Sequence, residues 1–395
     1  MPAPNHRVLV FAPSPFGGLA EHVHYQAGEL ARRGFEVRVL CRADFAKPAH
    51  AVSYIQERRL LTIAGTGLPA RLIRAALGIA NWYILAWRIV RLRPAFVLLE
   101  ANSEYYAAMW FLPHWLLSRA GTIYVTNFHD PVRGPERGPG RLTHGVSIRL
   151  AYASLSGGLI HGPAPSRAYL PPRLVIREAP FGPFTDLLGK PPGSDLRARL
   201  GIEREAFVVL AFGHVADRKN LDLVIAALAE LPSVHLVVAG RATSANARPI
   251  AWYADCARRL GVEQRVRFAD GFIAEADIPS WFAAADAIVL TYARGFVSQS
   301  GVLQIAALWD RALLASGGDG PLRQTVEAFD LGVTVEPDSV AAIVAGLRHL
   351  IDDPRDRSAN FARYRATTSW AVNIDRLLEV VEAVRAARGL PVSGT

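Results

Sequence analysis

The chain has 395 residues, 51% of them hydrophobic, with a formal net charge of +9 and only two cysteines. That length supports two domains of about 150–200 residues, each with a full core. Cys41 and Cys256 exclude a disulfide framework, though not a single bridge, so a reducing cytosol is expected; disorder is excluded except over the last residues, 391–395.

The start, MPAPNHRVLVFAPS, has one short apolar run, which reads as a first core strand and not as a secretory signal. RVLVFA (7–12) and EVRVLC (36–41) are predicted strands, joined by a helix from Gly18 to Arg33. The stretch 58–93 holds seven arginines and no Asp or Glu, around an arginine-free centre of thirteen residues from Ala75 to Trp87. That centre is too short to cross a bilayer. Two readings stand for it: a core-packed helix with solvated arginines, or a helix lying on an anionic membrane surface through Trp82, Tyr83 and Trp87. The net positive charge suits such a surface and equally a phosphate-rich ligand.

A strand AFVLLE (95–100), a helix over 104–119 and a strand TIYVTN (122–127) follow. FHDPVRGPERGPGRLTHG (128–145) reads as a loop into a helix over 146–155, and GGLIHG (157–162) and RLVIREAPFG (173–182) close the first half. FGPFTDLLGKPPGSD (181–195) is the linker candidate. The second half repeats the alternation: strands FVVLAF, VHLVVAG, VRFADGF and AIVLTY, helices over 220–231, 249–260 and 277–284, then LLAS (313–316) and GVTVE (332–336) as short strands. Helices over 338–352 and 371–388 end the chain. The alternation predicts parallel sheets wound on both faces, with ligands at the strand C-terminal ends.

Two strand–loop–helix units carry this prediction furthest, at 7–41 and 207–240, each with a glycine-bearing turn after its first strand. They predict an α/β fold of two Rossmann-like domains whose parallel sheets face an interdomain cleft. The expected limits are 1–185 and 186–370, with a helix in 371–395 returning to the first domain.

The segments PSPFGGLAEHV (13–23), TNFHDP (126–131), FGHVADRKNLDLVIAAL (212–228), LVVAGR (236–241) and the run 268–320 together resemble the GT-B glycosyltransferases, specifically the family-4-like retaining enzymes of bacterial envelope polysaccharide synthesis. The resemblance spans most of the chain. It implies a sugar transferase using a nucleotide diphosphate sugar, with a glycan or polyprenyl-pyrophosphate-linked acceptor. It implies no cofactor and no metal, and the scattered Cys and His residues show no ligand spacing. A cytoplasmic chain, peripheral on the inner face of the membrane, is the matching location. Nucleic-acid binding has no support in the sequence.

Gly17 and Gly18 open a helix, where backbone N–H groups and the helix dipole stabilise an anion. The resemblance places donor diphosphate and acceptor against that loop. Lys219 supplies a point charge to the donor pyrophosphate and the leaving group. The family's usual arginine after Gly213 is replaced by His214, and Arg218 is the candidate to restore the charge. Gly240 ends the next donor-side strand. Ser298, Gln299, Ser300 and Gly301 are expected at the N-terminus of a donor-binding helix, giving hydroxyls and N–H groups to the diphosphate. Two glutamates common in the family are absent, with Val297 and Ile305 in their places and Gln299 or Gln304 as the available substitutes. His129, followed by Asp130, is expected beside the donor sugar, where a neutral imidazole hydrogen-bonds a hydroxyl or accepts the acceptor's proton. His22, Glu100 and Arg133 are the acceptor-side candidates, Arg133 within a basic loop that either grips an acidic acceptor or is solvated. Two other functions remain open: a degenerate module that binds without catalysis, for which the absent glutamates speak, and a nucleotide-sugar epimerase, for which the cleft is poor in carboxylates.

Overall fold

The computed structural model describes residues 6–45, 53–65, 67–100, 102, 104–129, 140–162, 170–184, 195–242 and 247–390; the side chains of 140–144 and of Glu275 are not described. It divides into two compact units, Met1–Phe181 with Trp370–Thr395, and Gly182–Ser369.

In chain order the first unit has β1 (Arg7–Ala12), α1 (Gly18–Arg32), β2 (Glu36–Arg42), β3 (Ile55–Leu60), α2 (Leu68–Leu92), β4 (Phe96–Leu99), α3 (Ala107–Arg119), β5 (Tyr124–Phe128), α4 (Gly140–Tyr152), β6 (Gly157–Ile160) and β7 (Val175–Glu178). The second has α5 (Leu196–Arg199), β8 (Phe207–Phe212), α6 (Leu221–Ala227), β9 (Val234–Gly240), α7 (Ile250–Arg259), β10 (Val266–Asp270), α8 (Ile278–Ala284), β11 (Ala287–Thr291), α9 (Gly301–Ala306), β12 (Ala312–Ser316), α10 (Pro321–Phe329), β13 (Gly332–Thr334), α11 (Val340–Asp352) and α12 (Ser358–Thr367). The last helix, α13 (Trp370–Ala387), belongs to the first unit and packs on α1, β6 and β7.

Both sheets are parallel throughout, ordered β3-β2-β1-β4-β5-β6-β7 and β10-β9-β8-β11-β12-β13. The two-residue alternation of a strand separates the layers. Val8, Val10 and Ala12 of β1 face one core with Val23, Ala27 and Leu30 of α1 and Leu377 and Val381 of α13. Leu9 and Phe11 face the other, with Trp82 and Leu85 of α2 and Trp110 of α3. Trp82 and Trp110 stack there at 3.9 Å between centroids. The second unit builds its core from Val209, Leu236, Val238 and Val289 against Val224, Ile225 and Leu347.

Several expectations need correcting. The helix expected from 146 starts at Gly140, and β3 and α12 lack any clear sequence period because each is half solvated. The helix expected after Ser298 is α9, six residues long. Cys41 and Cys256 are buried free thiols, so no bridge forms, and burial pushes Cys41 up to about 11.

Candidate active site

Three adjacent strands of the first unit each end one residue before a polar side chain: β4 before Glu100, β5 before His129 and β6 before His161. The pairing Phe128↔Ile160 sets His129 abreast of His161. Because parallel neighbours lie about 4.8 Å apart, these groups converge. α1 adds His22 from above, its ring centroid 5.0 Å from that of His129 and 5.2 Å from that of His161.

Glu100 is the hub. Its carboxylate accepts from His22 Nδ1 at 3.2 Å, from His129 Nε2 at 2.9 Å and from Asn127 Nδ2 at 3.3 Å. Asn127 also donates to Gln26 (2.9 Å), Gln26 to Asn373 of α13 (2.8 Å), and Asn373 to the Pro180 carbonyl (2.9 Å), so a polar chain crosses the layers. Burial works to raise the Glu100 carboxyl, but the His22 and His129 imidazoles outweigh it and leave the group below its ordinary value. His22 is lowered by burial, only partly offset by Glu100, and so is neutral; its Nε2 has no partner among the described residues. His161 donates Nδ1–H to the Ala179 carbonyl at 3.3 Å and is held far below its usual value by burial, then by His129 and His22.

His129 Nε2–H is directed at Glu100, 2.9 Å from its carboxylate and 3.0 Å from its backbone carbonyl. His129 is half-buried, whereas Glu100 and His22 are fully buried. Glu100 and His22, expected as acceptor-side groups, are thus buried in this cluster, and Glu100 is the group that bonds His129. Sequence order hid the cluster, since its members are 78 and 29 residues apart. The cluster corrects the reading of the histidines as scattered, because ligand atoms of His22, Glu100 and His129 all lie within 4.8 Å of one another, close enough to share a cation. His24, on the same helix, is instead buried against Phe45 and bonded to the Tyr54 hydroxyl. Asp130 and Arg133 lie outside the described residues.

Gly17 has φ +78 and caps α1 without a side chain, a backbone state favouring glycine, and Gly18 begins the helix.

In the second unit β8 ends at a pocket lined by Phe212, Gly213, His214, Lys219 and Thr291. Gly240 packs against one of these lining residues, Gly213. A Cβ there would stand 1.8 Å from the Gly213 carbonyl oxygen, so the β8 and β9 turns touch backbone to backbone. Lys219 Nζ donates to the Phe212 carbonyl at 3.1 Å, and Thr291 Oγ1 donates to the Lys219 carbonyl at 3.0 Å. Burial, then Arg218, lowers the ammonium to about 8, so it remains mostly charged at neutral pH. The Arg218 guanidinium lies 5.7 Å from the Tyr292 ring centroid and 5.5 Å from that of Phe296, two rings stacked at 3.8 Å. These aromatics were not anticipated, although TYARGF places them four residues apart before the Ser298 loop. His214 is exposed and lowered by burial and by Lys219, Arg241 and Arg218, so it supplies no cation in place of the missing arginine.

Ser300 caps α9 with its own backbone, and its hydroxyl is bonded to Tyr292 Oη at 3.0 Å. Gln299 donates to Thr325 (3.1 Å) and accepts from the Ser300 N–H (3.0 Å). Gln304 is fully buried and donates to Tyr364 Oη at 2.6 Å, which removes it as a substitute for a donor-contacting glutamate. Ser298 and Gly301 flank these groups at the same turn.

Two families match in the order these units require. Residues 16–157 match Glycosyltransferase Family 4, and residues 206–353 match Glycosyl transferases group 1. A D-inositol 3-phosphate glycosyltransferase of Thermomonospora curvata is 31% identical over 199 residues, 47% of this chain and 44% of that protein. The chain spans about half the length of the curated relatives it matches. Sucrose-phosphate synthase of Thermosynechococcus elongatus superposes with a TM-score of 0.73 at 17% identity, covering 96% of this chain and 99% of that one. Anabaena HepE in complex with UDP-glucose superposes at 0.69 with 20% identity, covering 97% and 99%. The two solved structures share the fold, and the two matched families fall one on each unit. The chain belongs to the GT-B glycosyltransferases, of the family-4 type.

Proposed function

We propose that the chain transfers a hexose from a nucleotide diphosphate sugar to a glycan or polyprenyl-pyrophosphate-linked acceptor in bacterial envelope polysaccharide synthesis. The reaction retains configuration, needs no metal, and takes place with the protein peripheral on the inner face of the cytoplasmic membrane. One observation carries the reading: the half-buried ammonium of Lys219, beside Arg218, lines a pocket at the end of β8. A cation held there matches the charge of a departing diphosphate.

In the proposed step the bond from the anomeric carbon to the phosphate oxygen breaks, and its electron pair leaves with the nucleoside diphosphate. The acceptor oxygen bonds the same carbon. Under retention the acceptor arrives on the face the diphosphate leaves, so its proton passes to the departing phosphate oxygen. Lys219, Arg218 and the backbone N–H groups of the 298–301 turn take up the developing charge. His129, bonded to Glu100, holds a hydroxyl of the donor sugar, and Gly17 and Gly18 present backbone N–H groups; by sequence alone, Asp130 is assigned to the donor sugar and Arg133 to the acidic acceptor.

Titration calorimetry with UDP, GDP and their sugar derivatives tests this reading. UDP-glucose is the first probe, since HepE is crystallised with it. Selective binding of one nucleotide, lost in Lys219→Ala, is expected, and turnover should survive a chelator. Absence of binding to every nucleotide overturns the donor site. A second reading, binding without transfer, rests on Val297 and Ile305 in the glutamate positions and on Gln304 turned into the core. Donor binding without turnover across an acceptor screen selects it.

A further inference from the structure

Large apolar side chains exposed among the described residues are gathered in one region. All lie between Ile55 and Leu116 or at Val146, apart from Phe16, Leu260 and Phe272. Along α2 the outward positions Leu72, Ala76, Tyr83, Trp87 and Val90 recur at helical spacing, with Leu72 at 63% and Val90 at 60% exposure. The opposite stripe, Trp82, Leu85 and Ile89, is already spent on the core. A helix apolar on both faces needs a second apolar environment.

α3 extends the same surface through Met109, Leu112, Trp115 and Leu116, while Trp110 and His114 turn inward. Pro113 stands four residues after Met109 and has no N–H to give the Met109 carbonyl. Tyr83 Oη of α2 donates to that carbonyl at 2.6 Å, which ties the two outer stripes together.

Among the described residues of 58–119 the exposed charges have one sign. Arg59, Arg71, Arg74, Arg91, Arg93 and Arg119 are exposed, and the acids between residues 58 and 119, Glu100 and Glu104, are both buried. Arg91 lies 5.3 Å from the Trp87 ring centroid and Arg119 5.8 Å from that of Trp115, so each cation edges an exposed indole. No helix among the described residues is long and apolar enough to cross a membrane. Two copies of this chain facing through the surface would oppose like charges, whereas anionic headgroups over hydrocarbon complement both features.

We propose that the α2–α3 face is a docking surface for an anionic lipid bilayer, with Trp87 and Trp115 at the headgroup level and the flanking arginines on lipid phosphates. It rests on the peripheral placement proposed above and supplies the residues for it.

Co-sedimentation with phosphatidylcholine vesicles, with and without phosphatidylglycerol, tests the surface on the full chain. Binding should be about tenfold or more tighter to the anionic vesicles and fall with salt. Trp87→Ser with Trp115→Ser should weaken it about tenfold or more, as should Arg71→Gln with Arg74→Gln, with an unchanged circular dichroism melt. Equal binding to both vesicle types, no binding to either, or full binding by both variants overturns the proposal. So does a wild-type dimer that the tryptophan variant converts to monomer, which assigns the face to a second copy. Nucleotide titration on the same preparations separates the two readings: vesicle binding without nucleotide binding sinks the donor site and keeps the surface, and the reverse result does the opposite.

Discussion

Replacing Glu100 probes the strand-end cluster most directly. Its carboxylate is buried and accepts from His22, His129 and Asn127. Taking a carboxylate from water costs several kcal/mol, and each hydrogen bond to a charged acceptor returns about 1.5–3 kcal/mol, so the group is close to balanced as built. Glu100→Ala upsets that balance, because His22 and Asn127 lose a buried acceptor, His129 keeps only the backbone carbonyl of residue 100 at 3.0 Å, and a void remains. The expected loss is about 3–5 kcal/mol in the first unit. At about 2–4 °C per kcal/mol for a unit of this size, its thermal transition falls by about 6–20 °C. Glu100→Gln keeps volume and one acceptor oxygen, and should cost about 1–3 kcal/mol. The amide also offers its own N–H groups to the imidazoles, which favours the tautomer of neutral His22 that carries its lone pair on Nδ1, while His129 keeps the backbone carbonyl of residue 100. Acid should reveal the same carboxylate. A folded value below the ordinary one means its contribution is present above the ordinary carboxylate range and disappears as pH falls through the folded value, and that part of the acid transition should vanish in Glu100→Gln. Calorimetric melting across pH, with nitrogen NMR of the imidazoles, reads both effects. A Glu100→Ala transition within about 2 °C of wild type would refute the hub.

Two further outcomes follow from the second unit. Since Lys219 is lowered to about 8, its charge is present below that pH and lost above it; nucleotide affinity should hold to pH 8 and then decline, a decline absent in Lys219→Ala when followed by titration calorimetry across pH. Gly240→Ala forces a methyl against the Gly213 carbonyl oxygen, 1.8 Å away as built, so it should cost at least about 1–3 kcal/mol on denaturant unfolding and abolish nucleotide binding; wild-type behaviour in both would remove the backbone contact from the site.

Local pattern made much of the architecture legible. Strands such as RVLVFA and FVVLAF, each followed by a glycine turn and an amphipathic helix, report their own burial through spacing, and both lie at the centre of parallel sheets. The charge asymmetry of residues 58–93 was equally plain in one dimension. Where it lay in space was not: Trp82 faces the core while Tyr83, its neighbour, faces out, and the α3 stripe that completes the surface carries no charge signal of its own. Short half-solvated elements such as β3 and α12 gave no period to read. Tertiary structure alone decided the roles of the polar groups. Glu100 read as an acceptor-side carboxylate because it ends a strand, and it is a buried hub because β4, β5 and β6 stand abreast and bring residues far apart in the chain to one row. His161, Tyr292 and Gly213's contact with Gly240 belong to the same class. Periodicity encodes which face of an element is buried; which side chains meet across elements depends on strand order and register, and these arise only when the whole chain packs.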